Sequence, residues 1–291
     1  MTSVALIVLN WNTAAEVVAL VRAMMESQGF NAGLSFIIVD NASSVEDRLQ
    51  LRAIEDRAKI FYLEENLGYA GGNNIGIKYA LAEGYHHIGL VNSDIAINAN
   101  QIFGFIHAFI QESKADIGGP VIIEGDHQYA GGKNIALHLN TRRNNPNDSA
   151  EEWINVEYIP GTFIIVDSQV FLKIGLLDED YFFSGEIADF CFRAFSEDFG
   201  ILVNTCFSIN HQINNSEERR GSMYLYYNLR NRFLFVSKFY PGLKTIWIFR
   251  GLRFAFGALC RLKIKRFRAA SLATLHGLQG KYGNSNYLFI K

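Results

Sequence analysis

The sequence of 291 residues lacks several features that would place it in a special class. Its three cysteines are an odd number without paired spacing, which fits a reducing compartment better than a disulfide scaffold. Its first residues have neither the basic start nor the cleavage site of a signal peptide. The uncharged runs 254–260 and 269–280 are too short to span a bilayer. With 49% hydrophobic and 19% charged residues, the sequence predicts an ordinary globular protein.

Acidic residues are missing from one region, which we call the basic tail. No Asp or Glu occurs between Arg219 and Lys291, where fifteen Lys and Arg give a charge of +15. The other twelve bases and all 29 acids precede the basic tail, so that the body carries −17. This split predicts a tail that meets an anionic surface.

Apolar and basic residues alternate over Leu243–Arg268 within the basic tail. The pattern favours an amphipathic segment that lies on anionic lipid and inserts Trp247 and Phe249. The alternative is a helix packed on the body that exposes a basic face to water.

Short apolar runs alternate with helical periodicity over the first hundred residues. The runs have the length of buried strands and are Val4–Leu9, Leu34–Asp40, Ile60–Leu63 and Gly89–Asn92. Because the links between them are short, this alternation predicts a doubly wound, mostly parallel sheet with helices on both faces.

The run His87–Asp94 ends in two polar side chains, Asn92 and Asp94. At the carboxyl end of a strand in an open α/β sheet, polar groups face the ligand crevice. Oxygen ligands at this spacing suit a hard divalent cation, which can in turn hold a diphosphate. The alternative is a strand followed by an Asx turn, which the same residues favour.

A glycine-rich segment, residues 65–76, precedes a predicted helix. Glycines let backbone amides approach a ligand closely, and the amino terminus of a helix favours phosphate. The pattern is neither the dinucleotide-binding GxGxxG nor the P-loop GxxxxGK. An ordinary tight turn is the alternative.

Together these segments resemble the family 2 glycosyltransferases, which have the GT-A fold. Val8–Asn12 is similar to the family's Val-Asn-Tyr-Asn strand, and Val39–Ser44 matches its Val-Asp-Asn-Ala-Ser-Ser. Asn66–Gly76 is similar to its Asn-Leu-Gly-Phe-Ala-Gly-Gly-Asn-Asn-Gly loop. Asn92–Asp94 stands where rhamnosyltransferase-like members have Asn-Pro-Asp, a variant of the metal-binding Asp-x-Asp.

The resemblance implies a division of the chain. Residues 1–215 would form the GT-A domain, with a nucleotide-binding half (1–98) and an acceptor half (99–215). Residues 216–291 would form a basic, mainly helical extension. Within it, Tyr224–Arg232 resembles the Tyr-Tyr-x-x-Arg-Asn-Arg segment of the rhamnosyltransferase-like branch. Its Arg230 is expected either to face a phosphate or to be a structural ion-pair partner.

The resemblance also implies roles for particular residues. Asp40 would hold the uracil or thymine base or its ribose, and Asp94 would bind Mg²⁺ or Mn²⁺ that bridges the donor's phosphates. His211 would complete the metal site, although a lone His is more often a surface or core residue. Asn92 is a weaker metal ligand than the Asp of the commoner pattern. The implied nucleotide-sugar-binding residues are Asn10, Asn12, Asp40, Asn66, Gly68, Gly72, Asn73, Asn92 and Asp94.

Residues Ser184–Arg193 depart from the family pattern, Glu-Asp-x-Asp-Leu-Cys-x-Arg, whose second acid is commonly the general base. Ile187 occupies that position here. Either Glu186 or Asp189 would therefore take this role, since both stand within one helical turn, or the loop is re-registered. We prefer Glu186, because it precedes the predicted helix and would point into the cleft. Asp189 can alternatively be a carboxylate that stabilises the helix dipole.

The resemblance implies an inverting, metal-dependent enzyme that moves a sugar such as rhamnose, galactose or a related hexose from a UDP- or dTDP-sugar. The acceptor would be a glycan, lipid-linked on the cytoplasmic face of a bacterial membrane, in O-antigen, capsule or exopolysaccharide synthesis. The protein would be cytoplasmic and peripherally membrane-associated, with no nucleic-acid partner. A non-catalytic nucleotide-sugar or glycan-binding homologue is one rival, because of Ile187. A nucleotidyltransferase is another, but its basic, glycine-rich amino-terminal signature is missing.

Overall fold

The computed structural model describes residues 3–27, 29, 33–96, 98–133, 142–146, 150–211 and 221–289. The strands in these ranges are β1 (Val4–Asn10), β2 (Leu34–Asp40), β3 (Ala58–Tyr62), β4 (His87–Val91), β5 (Ile117–Glu124), β6 (His127–Tyr129), β7 (Gly132–Lys133), β8 (Arg142–Arg143), β9 (Trp153–Asn155), β10 (Phe163–Asp167) and β11 (Ile201–Asn210). The α-helices are α1 (Ala14–Glu26), α2 (Val45–Leu51), α3 (Gly68–Ala82), α4 (Ala99–Gln111), α5 (Ser168–Ile174), α6 (Glu186–Ser196), α7 (Ser222–Phe239), α8 (Lys244–Cys260) and α9 (Ile264–Gln279).

The main sheet has the strand order β3-β2-β1-β4-β10-β5-β11-β9, and β6 pairs with β5. The four strands that the sequence predicts, β1 to β4, are parallel, whereas β10 is antiparallel to both of its neighbours. Asn10 is level with Asp40, and Val8 is level with Val91. The carboxyl ends of β1, β2 and β4 therefore meet at one edge of the sheet, where the predicted polar residues lie.

Both faces of the sheet are covered, because side chains alternate along the buried strands. In β1, Ala5 and Ile7 belong to the core beneath α3, α5 and α6. Leu6 and Val8 belong to the core beneath α1 and α4. The predicted doubly wound arrangement is thus present, but the second half of the sheet mixes parallel and antiparallel strands.

Residues 68–76 of the glycine-rich segment form the first part of α3 rather than a tight turn, and residues 65–67 precede the helix. A Cβ atom at Gly72 would lie 2.4 Å from Leu9 Cδ1, and one at Gly76 would lie 2.7 Å from Ile7 Cγ2. Glycine inside a helix costs about 1 kcal/mol relative to alanine. Here it lets α3 lie directly against β1, which is why the glycines recur on this side of the helix.

Helices α7, α8 and α9 pack against one another around a core of their own. Trp247 belongs to this core and is 1% exposed, so its predicted insertion into lipid is wrong. The guanidinium groups of Arg232 and Arg250 lie over its indole ring, 5.6 and 5.3 Å from the ring centre. Among the described helices, none has the length and apolar character that a membrane span requires. The predicted domain boundary, between residues 215 and 216, lies outside the described residues.

Candidate active site

Asn10 and Asp40 form a buried polar cluster where β1 and β2 end. The Asn10 amide donates hydrogen bonds to Asp40 Oδ1 at 2.8 Å and to Asp47 Oδ2 at 2.7 Å. Asp40 also accepts a hydrogen bond from Arg48 Nε at 2.6 Å, which compensates its charge. The cluster holds the carboxylate of Asp40 in one place at the sheet edge. Its contact with a nucleotide base stays a prediction.

Asn12 joins the two turns that follow β1 and β2. Its backbone N–H donates to Ser43 Oγ at 2.9 Å, and its Oδ1 accepts from the Ser44 N–H at 2.9 Å. Its positive φ of 57° is a conformation that Asn adopts more readily than most residues. Trp11, beside it, is 43% exposed at the same edge. The sequence analysis did not single out Trp11, although an aromatic residue between two asparagines after a strand is a usable signal.

The start of α3 is fixed by side-chain amides. Asn66 Oδ1 accepts from the Gly68 N–H at 2.8 Å, and Asn41 donates to the Gly68 carbonyl at 3.0 Å. Gly68 has a φ of +75°, and a Cβ atom there would lie 2.2 Å from the Phe182 carbonyl oxygen. Only glycine fits this position.

Two of the predicted nucleotide-binding residues point into the protein. A side chain at Gly72 would meet Leu9, and Asn73 is buried and donates to the Tyr69 carbonyl of its own helix at 2.9 Å. Gly72 and Asn73 therefore contribute to the packing of α3, whereas Asn12 and Asn66 remain at the protein surface.

Asp94 and His211 are neighbours, as the resemblance implies. His211 Nε2 lies 3.2 Å from Asp94 Oδ1, and His211 Nδ1 lies 3.2 Å from Glu124 Oε1. The two chain segments are joined by a β-bridge between Ile95 and His211. Burial lowers the pKa of His211, but its hydrogen bonds with the two carboxylates outweigh burial and raise the pKa to about 9. No sequence signal pointed to Glu124, because only the sheet order brings the end of β5 beside His211.

These side chains define how a metal could fit. Asp94 and Glu124 meet opposite nitrogens of the imidazole ring, so the three do not converge on one point. Accordingly, the described residues contain no group of three or more His, Cys, Asp or Glu arranged to hold an ion. Asp94 and Nε2 of His211 together offer two ligands on the cleft side. Asn92 is held through its backbone N–H, which donates to the Thr162 carbonyl at 3.0 Å.

Glu186 is the first residue of α6 and is buried, with 6% of its surface exposed. Its Oε2 is buried and has no hydrogen-bond partner in the described part of the chain. Burial raises the pKa of this carboxyl group from 4.5 to about 7. Burial also raises the pKa of Tyr69, and the charges of Glu186 and Asp94 raise it further. Tyr69 therefore lies within electrostatic reach of both carboxylates.

Ile187, which occupies the family's usual base position, belongs to the core. It is 3% exposed, and its Cγ1 lies 2.9 Å from where a Cβ atom would stand on Gly161. The position is therefore filled by an apolar contact, and it presents no group to the cleft.

Asp189 is fully buried, and several side chains donate hydrogen bonds to its carboxylate. It accepts hydrogen bonds from Tyr181 Oη at 3.1 Å and Arg193 Nε at 2.7 Å, and it also contacts the Lys238 ammonium. Lys238 in turn lies 2.7 Å from Asp178. These partners give Asp189 a structural role that joins α6 to α7, and they favour Glu186 as the candidate base.

Arg230 neither faces a phosphate nor forms an ion pair with any described residue. It is fully buried and donates to the carbonyl oxygens of Gly283 at 2.6 Å, Tyr181 at 3.1 Å and Asp180 at 3.2 Å. Its burial is therefore at odds with a phosphate contact, and its role is structural through backbone carbonyls, while an ion pair of Arg230 stays a prediction. Its neighbour Asn231, which the sequence analysis did not single out, contacts the same backbone segment.

Comparisons with known proteins agree with this architecture. The model of the family described as "Glycosyl transferase family 2" matches residues 5–175, more than half of the chain. A low-salt glycan biosynthesis hexosyltransferase, Agl10, of Haloferax volcanii is 28% identical over 85% of this chain and 84% of its own. A dTDP-rhamnosyl transferase, RfbF, of Shigella flexneri is 28% identical over 86% of this chain and 88% of its own.

Solved structures show the same fold at low identity. The mannosyltransferase PcManGT of Pyrobaculum calidifontis, solved with GDP-Man and Mn²⁺, has a TM-score of 0.60 at 12% identity, covering 93% of this chain and 73% of that one. S. aureus TarS 1-349 has a TM-score of 0.55 at 15% identity, covering 96% and 92%. The family match and these folds confirm the resemblance: the chain belongs to the family 2 glycosyltransferases and is an enzyme of glycosyl transfer with the GT-A fold.

Proposed function

We propose that this glycosyltransferase moves a hexose or rhamnose from a UDP- or dTDP-sugar to a hydroxyl group of a glycan, with inversion at the anomeric carbon. The named relatives, a hexosyltransferase and a dTDP-rhamnosyl transferase, support this class of donor. The observation that carries the proposal is the buried Glu186 carboxylate, whose Oε2 has no hydrogen-bond partner among the described residues, in a chain that also places Asp94 Oδ1 3.2 Å from His211 Nε2.

In this proposal Glu186 is the general base. The carboxylate of this residue, which has 6% of its surface exposed, accepts the proton of the acceptor hydroxyl, whose oxygen forms a bond to the anomeric carbon. The bond from that carbon to the diphosphate breaks on the opposite face, which inverts the configuration. A carboxyl group with a pKa of about 7 suits this task, because a base is most effective when its pKa lies near the working pH.

The donor's diphosphate would lie beside Asp94 and His211. Mg²⁺ or Mn²⁺, held by these two residues and more weakly by Asn92, would neutralise charge on the leaving diphosphate. Glu124 would orient the ring of His211 through its other nitrogen, at 3.2 Å. Two structural neighbours were solved with Mn²⁺, which supports a divalent ion.

The nucleoside would lie where β1 and β2 end. Asp40, held by Asn10, would contact the base or ribose, while Asn12 and Asn66 would border the pocket. The exposed ring of Trp11 offers a face on which a base could stack. Gly68 would contribute by allowing the close approach of the α3 start to residue 182, and Gly72 and Asn73 by packing that helix.

The acceptor in this proposal is lipid-linked, at the cytoplasmic face of a bacterial membrane, and belongs to a surface polysaccharide such as O-antigen. The support is the outer surface of α8 and its turn to α9, where Phe249 is 67% and Leu262 is 82% exposed. Four exposed bases, Arg261, Lys263, Lys265 and Arg266, flank Leu262. Each base near anionic lipid contributes about 1 kcal/mol. The extension at residues 216–291 would thus dock the enzyme to its acceptor.

Donor turnover tests the proposal. The protein is incubated with UDP-galactose, dTDP-rhamnose or GDP-mannose, with Mn²⁺ or with EDTA, and the released nucleotide diphosphate is quantified. We expect cleavage of a UDP- or dTDP-sugar that requires the metal, and loss of metal-dependent donor binding in Asp94→Ala. A thermal shift by a sugar nucleotide without any turnover would instead support the non-catalytic rival.

Vesicle binding tests the membrane part. Replacing the four bases around Leu262 with Gln should release the protein from vesicles rich in phosphatidylglycerol and leave activity on a short water-soluble acceptor intact. The matched control replaces four exposed bases of the body, Arg52, Arg57, Lys59 and Lys78, with Gln. Equal binding to neutral and anionic vesicles would contradict the proposal.

A further inference from the structure

The loop that precedes Glu186, residues 181–185, has an unfavourable backbone. Phe182 has a φ of 55°, Ser184 of 68° and Gly185 of 107°. A non-glycine residue held in this region costs about 1–3 kcal/mol and persists only where its surroundings fix it. Contacts with the surrounding residues therefore hold the 181–185 loop in this conformation. The same contacts fix the position of Glu186, the first residue of α6.

Asn231 of α7 supplies most of these contacts. Its Nδ2 lies within hydrogen-bond distance of three carbonyl oxygens of the loop, those of Tyr181 at 2.8 Å, Phe183 at 2.8 Å and Ser184 at 2.5 Å. Its Oδ1 accepts two hydrogen bonds from Arg230, at 2.9 and 2.7 Å. Because Arg230 occupies the carbonyl end of the amide, the Nδ2 end must face the loop.

Arg230 holds the loop directly as well as through Asn231. Its guanidinium donates to the carbonyls of Asp180 and Tyr181 and, on its other side, to Gly283 near the end of the chain. The cation lies 4.8 Å from the centre of the Tyr227 ring. A buried cation is costly unless its hydrogen bonds are satisfied. Here they are satisfied by backbone carbonyls, so this charge serves to fix a backbone.

The loop is held from the opposite side by the nucleotide-binding half. The Tyr69 N–H donates to the Phe182 carbonyl at 2.7 Å, where Gly68 allows the close approach. Gly185 leaves no room for displacement, since a Cβ atom there would lie 2.8 Å from the Tyr181 ring and 3.6 Å from the Asn231 Cβ. The loop thus lies between α3 and α7 and touches both.

We infer that Asn231, oriented by Arg230, is a positioning residue that places the Glu186 carboxylate by fixing the 181–185 backbone. The inference rests on the proposed role of Glu186 as base. It means that the carboxyl-terminal helices complete the active site in addition to any contact with a surface. Asn231 itself is not placed against the substrate.

Steady-state kinetics of Asn231→Ala test the inference. A displacement of about 1 Å in a reacting group can cost about 100-fold in rate. We therefore expect kcat to fall by about 10- to 100-fold, while the donor KM changes less than about twofold, because Asn231 forms its hydrogen bonds with none of the residues proposed for donor binding. In the pH profile of kcat/KM, the apparent pKa should move from about 7 towards 4.5, as water reaches Glu186.

Two control variants separate positioning from stability. Phe233→Leu changes the side of α7 that lies against Gly277 of α9, and it should lower the melting temperature but leave kcat and the pH profile unchanged. Asn228→Ala changes a half-buried amide of α7 that forms no hydrogen bond with residues 180–185, and it should be neutral. If Asn231→Ala behaves like Phe233→Leu, the inference is wrong.

A second variant covers failure to fold. If Asn231→Ala is insoluble, Arg230→Lys addresses the same question, because lysine keeps the charge but cannot reach Asn231 and the carbonyls together. A several-fold lower kcat at unchanged KM supports the inference, and an unchanged kcat overturns it. If Glu186→Gln is fully active, the proposed base is at fault, whereas an inactive Glu186→Gln beside a fully active Asn231→Ala refutes only the positioning.

Discussion

Glu186 and Asp189 lie three residues apart in the first turn of α6, and both are buried, yet their partners differ. Asp189 contacts two cations and a tyrosine hydroxyl, while Glu186 leaves an oxygen without a partner. Burial alone favours the neutral form of an acid, and adjacent cations favour the ionised form. Within one turn of α6, Glu186 can thus accept a proton, whereas Asp189 joins α6 to α7.

The largest expected effect is on catalysis. Glu186→Gln should lower kcat by about 10²- to 10⁴-fold, the usual contribution of a general base, and should retain donor binding. Asp189→Asn, assayed on the folded fraction, should be milder. Transfer assays at saturating donor and calorimetric titration of the donor measure the two quantities. The reverse ranking of the two variants would move the base to Asp189.

The free energy of unfolding should change in opposite directions in Asp189→Asn and Glu186→Gln. Asp189→Asn leaves Arg193 and Lys238 without their shared carboxylate and should lower the free energy of unfolding by about 3 kcal/mol. Glu186→Gln should raise it at pH 8, by at most roughly 3 kcal/mol, because the ionised carboxylate is buried unpaired.

The direction of the stability change in Glu186→Gln follows from the pKa of Glu186. Folding raises the pKa of Glu186 from 4.5 to about 7, so the native chain binds this proton more tightly than the unfolded chain. The penalty is therefore absent below pH 4.5, grows as the pH rises to 7, and is complete above it. Urea unfolding of both variants and the parent at pH 4.5 and pH 8 measures the difference. A gain for Glu186→Gln that is equal at both pH values would refute this explanation.

The pH dependence of turnover separates the two acids further. If Glu186 must be ionised, kcat/KM should rise about tenfold per pH unit below its pKa of about 7 and level off above it. Metal-independent donor binding, measured over the same pH range, is the control that isolates the chemical step. A profile that is flat from pH 5.5 to 8.5 would exclude Glu186 as the titrating group.

Local patterns predicted the first half of the fold and the polar edge of the sheet. The alternation of Leu6 and Ile7 between two cores follows from strand geometry, and Asn10 and Asp40 had to meet once β1 and β2 were parallel neighbours. The resemblance brought Asp94 and His211 together across 117 positions of sequence, which spacing alone could not do.

Contacts between distant segments could not be predicted. The residues around Gly72 are compatible with a loop as well as with a helix. Only the contact with Leu9 explains why glycine is needed at this position. Trp247 and Phe249 are two positions apart, but packing buries the first and exposes the second. The resemblance marked Asn231 as a motif residue and Asn228 as a variable one, but the hydrogen bonds of Asn231 span about 50 positions, so no local pattern could predict its partners.

The smallest expected effect comes from removing one of the two cations at Asp189. Lys238→Gln leaves Arg193 Nε at 2.7 Å and the Tyr181 hydroxyl at 3.1 Å in place, so the Asp189 carboxylate keeps two of its three partners. Lys238 keeps a partly exposed side chain, and water screens its charge. We expect a loss of about 1 kcal/mol in unfolding free energy and a kcat within about threefold of the parent. The exposed ion pair of Lys173 with Glu197 offers a matched control, and Lys173→Gln should change neither quantity measurably. A loss of kcat in Lys238→Gln as large as that in Glu186→Gln would mean that the ion pairs of Asp189 take part in catalysis, and the contrast between the two acids would no longer hold.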